Sequence, residues 1–210
     1  MSGVLVLVVG PSGAGKDTLL SLAKTRLAND PRFVFSQRYI TRPLDAGGED
    51  HLAISHEEYW RLRRGQRFAL AWEANRLCYG LPLTVVDDLA SGRVVVANVS
   101  RTIVDEARIL FSAVRVVVID APAEVLAERL SRRGREDATV ISERLERASG
   151  LRPRGPQVAT IVNDGPIEAA LGAFLVVLYD TAARVTLMAR DPVAPSAAAA
   201  VAVAKRDPPL

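Results

Sequence analysis

At 210 residues, 49% of them apolar, the chain is long enough to bury one sizeable core with room for a small insertion, and a single globular unit is expected. Its 27 Lys and Arg against 24 Asp and Glu leave a net charge of +3, which suits an anionic small molecule and falls short of the concentrated basic face that nucleic acid calls for. The single cysteine, Cys78, excludes an internal disulfide, the longest apolar runs are strand-sized rather than membrane-spanning, and no charged leader precedes the first of them, so a cytoplasmic protein without nucleic-acid or membrane partners is expected.

The first element is the nearly unbroken β-branched run Val4–Val9, a strand covered on both faces. It leads into Gly10-Pro11-Ser12-Gly13-Ala14-Gly15-Lys16-Asp17-Thr18, and a helix is predicted over 17–27. Between 32 and 82 the strand–helix rhythm breaks into short mixed segments around 38–41, 52–55 and 68–72, with one helix over 56–64; this reads as a small, mostly β insertion. The rhythm then resumes with strands over 94–99, 116–119 and 160–162 and helices over 103–110, 123–132, 140–149 and 167–179. Such alternation predicts a doubly wound α/β fold, a three-layer P-loop NTPase sandwich on a parallel sheet, with ligands at the carboxyl ends of the strands. After residue 190 the chain turns to Ala, Val and Pro, which predicts a poorly ordered tail over 191–210 or a marginal helix over 197–205.

The segment from Gly10 to Thr18 carries the chemistry. Its glycines allow a close backbone approach to phosphate, Lys16 adds a mobile charge, and the helix that follows aims free N–H groups and its positive end at the same anion. The usual hydroxyl after the lysine, which meets Mg²⁺, is replaced by Asp17, with Thr18 one place late. The strand over 94–99 brings Asn98 and Ser100, and no acid, near the phosphates. Asp17 is therefore the candidate for the missing negative charge at Mg²⁺, with Thr18 as the neutral alternative; a favourable acid in a helix's first turn is the plain alternative. Asp120 ends another strand, but Ala121-Pro122 after it reads as a strand-to-helix turn. Cys78 is read as a packing residue, and His51 and His56, the only histidines, lack further ligands at zinc spacing.

The loop, followed by Tyr39-Ile-Thr-Arg42, the run from Gly47 to Ser55, Trp72-Glu-Ala-Asn75, Tyr79-Gly80, Arg133-Gly-Arg-Glu136, Arg144 and Val162-Asn-Asp164, resembles the guanylate kinase superfamily over roughly residues 4 to 180. Within it, the GKD letters, YITR, the GxEDHxAIS segment, Asn98 to Arg101 and RGRE are similar to the ribose 1,5-bisphosphate phosphokinase family. That resemblance implies transfer of the γ-phosphoryl group of ATP to the 1-phosphate of ribose 1,5-bisphosphate, yielding 5-phosphoribosyl 1-diphosphate (PRPP), in phosphonate breakdown. It also implies a kinase domain over 1–190, with an acceptor-binding insertion at about 32–82 and a helical lid at about 129–147. Guanylate kinases hold the nucleotide phosphate with two arginines and a tyrosine and read guanine with a glutamate. Here Arg42 keeps the first arginine's place, Asp45 and His51 take those of the second and of a tyrosine, and Leu70 falls close to that of the glutamate. Loss of a polar partner costs such a site orders of magnitude in discrimination, so guanine is not the expected acceptor.

Arg42, with its planar fork, and Tyr79 are the candidates for the acceptor phosphate, and His51, Glu73 and Asn75 for the rest of the sugar phosphate. Arg133, Arg135 and Arg144, with Arg132, are candidates for charge on the transferring group. The resemblance places Asn163 and Asp164 at the adenine end of ATP; a turn accounts for them equally well. Another kinase of the superfamily, including a relaxed guanylate kinase, and a non-catalytic binding module remain as alternative readings, and oligomeric state is left open.

Overall fold

The structure of the protein, a computed structural model, describes residues 3–43, 50–132, 153–155 and 157–190. Its centre is β1 (Val4–Val9), which side-chain alternation divides between two cores: Leu5, Leu7 and Val9 face one, Val6 and Val8 the other, all fully enclosed. A strand apolar on both faces must be covered on both, and that requirement sets the layers. Parallel to β1 run β7 (Val94–Asn98) on one side and β8 (Val114–Asp120) on the other; β2 (Phe33–Phe35) and β9 (Val158–Val162) complete the sheet in the order β2-β7-β1-β8-β9. One face packs against α1 (Lys16–Arg26), α5 (Ala123–Arg132) and α6 (Ile167–Arg190). The other is covered by α3 (Thr84–Ala90), α4 (Val104–Leu110) and residues of a second, four-stranded sheet. That sheet has the order β4-β3-β6-β5, from β3 (Tyr39–Ile40), β4 (Leu52–Ala53), β5 (Phe68–Ala74) and β6 (Leu77–Pro82), with α2 (His56–Arg64) between β4 and β5. The expected parallel sandwich with a β-rich insertion is thus present.

Four details differ from the sequence reading. Phe33–Phe35 joins the main sheet, pairing with Val94, Val95 and Val96, because three apolar residues suffice for a parallel edge strand although they are too few to register as a period. Helix α3 has neither an N-cap bond nor a strong apolar stripe to announce it. The helix at 103–110 opens as a 3₁₀ turn, Arg101–Ile103, with Ser100 Oγ accepting the Thr102 N–H. Helix α6 runs eleven residues beyond Tyr179, since no glycine or proline stands between Tyr179 and residue 190. Its stretch Ile167–Leu187 is long and apolar enough by composition to cross a membrane, contrary to the strand-sized runs expected; here Ala170, Leu171, Phe174, Leu178, Ala182 and Val185 pack it onto the sheet. The helix over 140–149 and everything after 190 lie outside the described residues.

Cys78 is enclosed as a packing residue, and burial pushes its thiol up. Helix α6 is also tied to the sheet electrostatically. Arg115 on β8 donates to Asp180 at 2.5 Å and to Thr181 Oγ1 at 3.0 Å, and Arg184 reaches Asp180 from the next turn at 3.1 Å. The Arg115 guanidinium, ahead of Arg184, holds the Asp180 carboxyl below its usual range. The stabilisation is therefore complete above the unfolded-state carboxyl pKa of about 4 and is lost as pH falls through the lower folded value. With Asp180 partly exposed the effect is small. Arg115→Met is expected to melt a few degrees lower at neutral pH, with a shallower decline of melting temperature below about pH 4; parallel acid profiles for both proteins would remove this ion pair from the account.

Candidate active site

The register brings the ends of β1, β7 and β8 level, with Val8 opposite Asn98 and Val9 opposite Val118, so the chain leaves all three strands at one edge. There β1 turns into the loop from Gly10 to Gly15. Gly10, at φ 149°, lies so close to Ile119 that a Cβ would stand 1.9 Å from that carbonyl oxygen. Gly15, at φ 87°, caps α1 without a side-chain bond, so the first N–H groups of the helix stay turned to the loop. Lys16 Nζ donates to the carbonyls of Gly10 and Pro11, both at 2.9 Å, which holds the ammonium over the loop. Gly10, Pro11, Ser12, Gly13, Gly15, Lys16, Asp17 and Thr18 all border one cleft of about 490 Å³; Ala14 is enclosed behind them.

Asn163 stands on that inner side. It is 2% exposed, donates from Nδ2 to the Ala14 carbonyl at 2.8 Å, and would lie 2.4 Å from a Cβ at residue 15. It therefore faces the back of the loop and not the cleft, where the adenine-end expectation would put it. From a third side α5 reaches the loop: Arg129 Nη1 donates to the Gly13 carbonyl at 3.4 Å and Leu130 packs beneath Gly13. Arg133, Arg135 and Arg144, expected from the lid, lie outside the described residues.

Asp17 and Thr18 are placed together at the head of α1. Asn98 Nδ2 donates to Asp17 Oδ1 at 3.0 Å, fixing the carboxylate across the gap between helix and sheet. Asp120 instead accepts the N–H of Ala121 at 3.0 Å and caps its own turn, as the proline after it suggested.

The opposite wall comes from the insertion, and Arg42, Glu73, Asn75 and Tyr79 all border the cleft. Nε and Nη2 of Arg42 are shut from solvent with no hydrogen-bond partner among the described residues. Such donors carry a desolvation cost that an anion offsets. His51 is 4% exposed, its Nε2 lies 3.0 Å from the Arg42 carbonyl, and it is absent from the cleft wall. Direct contact with the acceptor, expected for His51, is therefore replaced by support of the Arg42 backbone. Glu73 pairs with Arg63 at 3.5 Å on an exposed flank. Asn75 and Arg76, at φ 50° and 62°, form the two-residue turn between β5 and β6, so Asn75 has a backbone role as well. Tyr79 stacks on Trp72 with centroids 5.4 Å apart and planes 6° from parallel. Leu70 is closed into the core beside Trp72 and does not reach the cleft.

Arg38 and Arg101 also border the cleft, and the sequence reading gave neither a site role, although Arg101 closes the motif that begins at Asn98. Arg38 stands just before β3 and Arg101 just after β7, and no local periodicity in the sequence marks either as a cleft residue.

Asn163→Ala removes the support behind the loop and leaves the cleft wall untouched. It is expected to weaken nucleoside triphosphate binding about 10-fold, as loss of one buried hydrogen bond allows, and to leave the acceptor KM unchanged; equal changes in both constants would mean a general loosening of the fold.

A family model described as AAA domain matches residues 6–149. The chain is 46% identical over 182 residues to a ribose 1,5-bisphosphate phosphokinase PhnN of Brucella abortus biovar 1 (strain 9-941), covering 87% of this chain and 95% of the relative. It is 49% identical over 177 residues to the protein of the same name from Acidiphilium cryptum (strain JF-5), covering 84% and 93%. In fold it is similar to a guanylate kinase from Anaplasma phagocytophilum, with a TM-score of 0.58, 19% identity, and 92% of this chain and 97% of that one covered. A phosphate loop on a guanylate-kinase-like sandwich, with such identity along nearly the whole of these relatives, makes the chain a member of the ribose 1,5-bisphosphate phosphokinase family.

Proposed function

We propose that the chain is a kinase that transfers the γ-phosphoryl group of ATP to the 1-phosphate of ribose 1,5-bisphosphate, releasing ADP and 5-phosphoribosyl 1-diphosphate. The observation that carries this reading is one cleft in which the phosphate loop faces Arg42, whose Nε and Nη2 are buried without partners among the described residues. Family membership supplies the identity of the acceptor.

An oxygen of the 1-phosphate attacks the γ phosphorus, the bond from that phosphorus to the β,γ-bridging oxygen breaks, and ADP leaves with the electron pair. The attacking oxygen is ionised at neutral pH, phosphate monoesters having a second pKa of about 6, so no protein base is required. The protein's work is positioning and charge compensation. Lys16 and the first N–H groups of α1 hold the donor phosphates, Arg42 and Tyr79 the accepting phosphate, and Glu73 and Asn75 border the sugar. Asp17 and Thr18 offer oxygen donors suited to Mg²⁺, which when bound offsets charge on the donor phosphates. Arg133, Arg135 and Arg144 are assigned to charge on the transferring group, within a lid at about 129–147 on a kinase domain over 1–190. The tail over 191–210 has no part in the chemistry. We assign the enzyme to the cytoplasm and its product to PRPP formation in phosphonate breakdown, with no nucleic-acid or membrane partner.

Coupled ADP release with ATP and Mg²⁺ tests this reading, with ribose 1,5-bisphosphate and GMP offered separately. Turnover is expected with the sugar alone and a new diphosphate signal in phosphorus NMR; robust GMP turnover would make the protein a nucleotide kinase. Lys16→Ala should reduce kcat by about 100- to 1,000-fold, the cost of removing one preorganised charge contact. Asp17→Ser should shift the Mg²⁺ dependence of the rate to higher concentration, and an unchanged dependence takes Asp17 out of the metal site.

A further inference from the structure

We infer that Arg38 is the specificity-determining residue for a second phosphate on the acceptor, the one that is not phosphorylated. The inference rests on the proposed acceptor and deepens it. A sugar bisphosphate carries two dianions at opposite ends of one small ring, and Arg42 accounts for one.

Three observations point to Arg38. It borders the same cleft as Arg42 while being only 7% exposed, an unusual position for a guanidinium in a wall of a solvent-filled site. It is also held: its Cζ lies 5.1 Å from the Tyr79 ring centroid and 5.9 Å from that of Trp72, and those two rings are themselves stacked. Aromatic faces fix the plane of a guanidinium, so the Arg38 fork meets the cleft in a set orientation, as a planar, charge-assisted anion contact requires. Finally, Arg38 leads directly into β3 and Arg42 follows it by two residues, so both side chains leave the same short strand of the insertion and border the same cleft. Two guanidinium groups reaching one cleft from either end of that strand suit two anions joined by a ring better than a single phosphate. Burying two like charges in one cleft is costly, and two bound phosphates offset that cost.

Among the other cleft cations, Lys16 is drawn to the loop carbonyls, and Arg101 sits in the 3₁₀ turn after β7, on the wall made by the main sheet. Arg38 is the one whose position on the insertion matches the acceptor.

The test uses competitive inhibition by the two halves of the acceptor. Ribose 5-phosphate presents only the second phosphate, and ribose 1-phosphate only the accepting one. In Arg38→Gln the KM for ribose 1,5-bisphosphate and the Ki for ribose 5-phosphate should rise together by about 10- to 100-fold, the range for one charge-assisted contact. The Ki for ribose 1-phosphate and the KM for ATP should stay within about two-fold. Arg42→Gln should show the converse, raising the Ki for ribose 1-phosphate and sparing that for ribose 5-phosphate. Arg38→Lys, which keeps the charge and loses the fork, should recover part of the ribose 5-phosphate affinity. Equal losses for both half-substrates in Arg38→Gln would make Arg38 a structural residue and overturn the inference, as would an unmoved Ki for ribose 5-phosphate or its loss in Arg101→Gln instead. Wild-type protein that leaves ribose 1,5-bisphosphate untouched would overturn the proposed acceptor and this inference with it. Wild-type turnover with an Arg38→Gln failure of the kinds above overturns this inference alone.

Discussion

Everything in the site depends on how closely the backbone after β1 passes its neighbours. Gly10 runs against the carbonyl of Ile119 and Gly15 against the amide of Asn163, contacts that leave no room for a side chain at either point. The loop is thus wedged between β8, the residue that follows β9, and the base of α5. Its shape is imposed from outside by elements distant in sequence, and a loop so constrained meets an anion with little reorganisation, the condition under which backbone N–H groups are most effective.

Charge in the cleft is arranged on two walls. The main sheet and α1 contribute Lys16, Asp17 and the helix end; the insertion contributes Arg38 and Arg42. Buried polar groups orient the charged ones: Asn98, itself at the cleft edge, fixes Asp17, and behind the opposite wall His51 meets the Arg42 carbonyl and Thr41 Oγ1 accepts the Cys78 N–H at 2.9 Å to anchor the end of β3 to β6. This division explains why several polar residues near the site lie away from solvent. Their hydrogen bonds are spent on orientation.

The donor half of the site was legible in the sequence because phosphate binding by a loop is local: strand, glycines, lysine and helix follow one another within fifteen residues. On the insertion's wall, Arg42, Glu73, Asn75 and Tyr79 were read from residue type, and all four border the cleft. His51 and Asn163 were read as contacts because a motif gives proximity to a site without giving direction; a residue buried behind a loop and one exposed before it occupy the same place in the chain. Arg38 was passed over because its role arises from Trp72 and Tyr79, more than thirty residues away, and no local pattern carries a long-range aromatic contact. In the fold, Phe33–Phe35 and α3 escaped notice for a similar reason. Both are short, and tertiary packing stabilises them more than propensity does.

Trp72 belongs at once to the core beneath the sheet and to the wall of the cleft. The surface that Trp72 turns to the cleft is therefore the outer side of the same ring that fills the interior. Reshaping this wall for another acceptor would disturb packing before it altered recognition, so changes of acceptor within this architecture are channelled toward residues that border the cleft without filling the core.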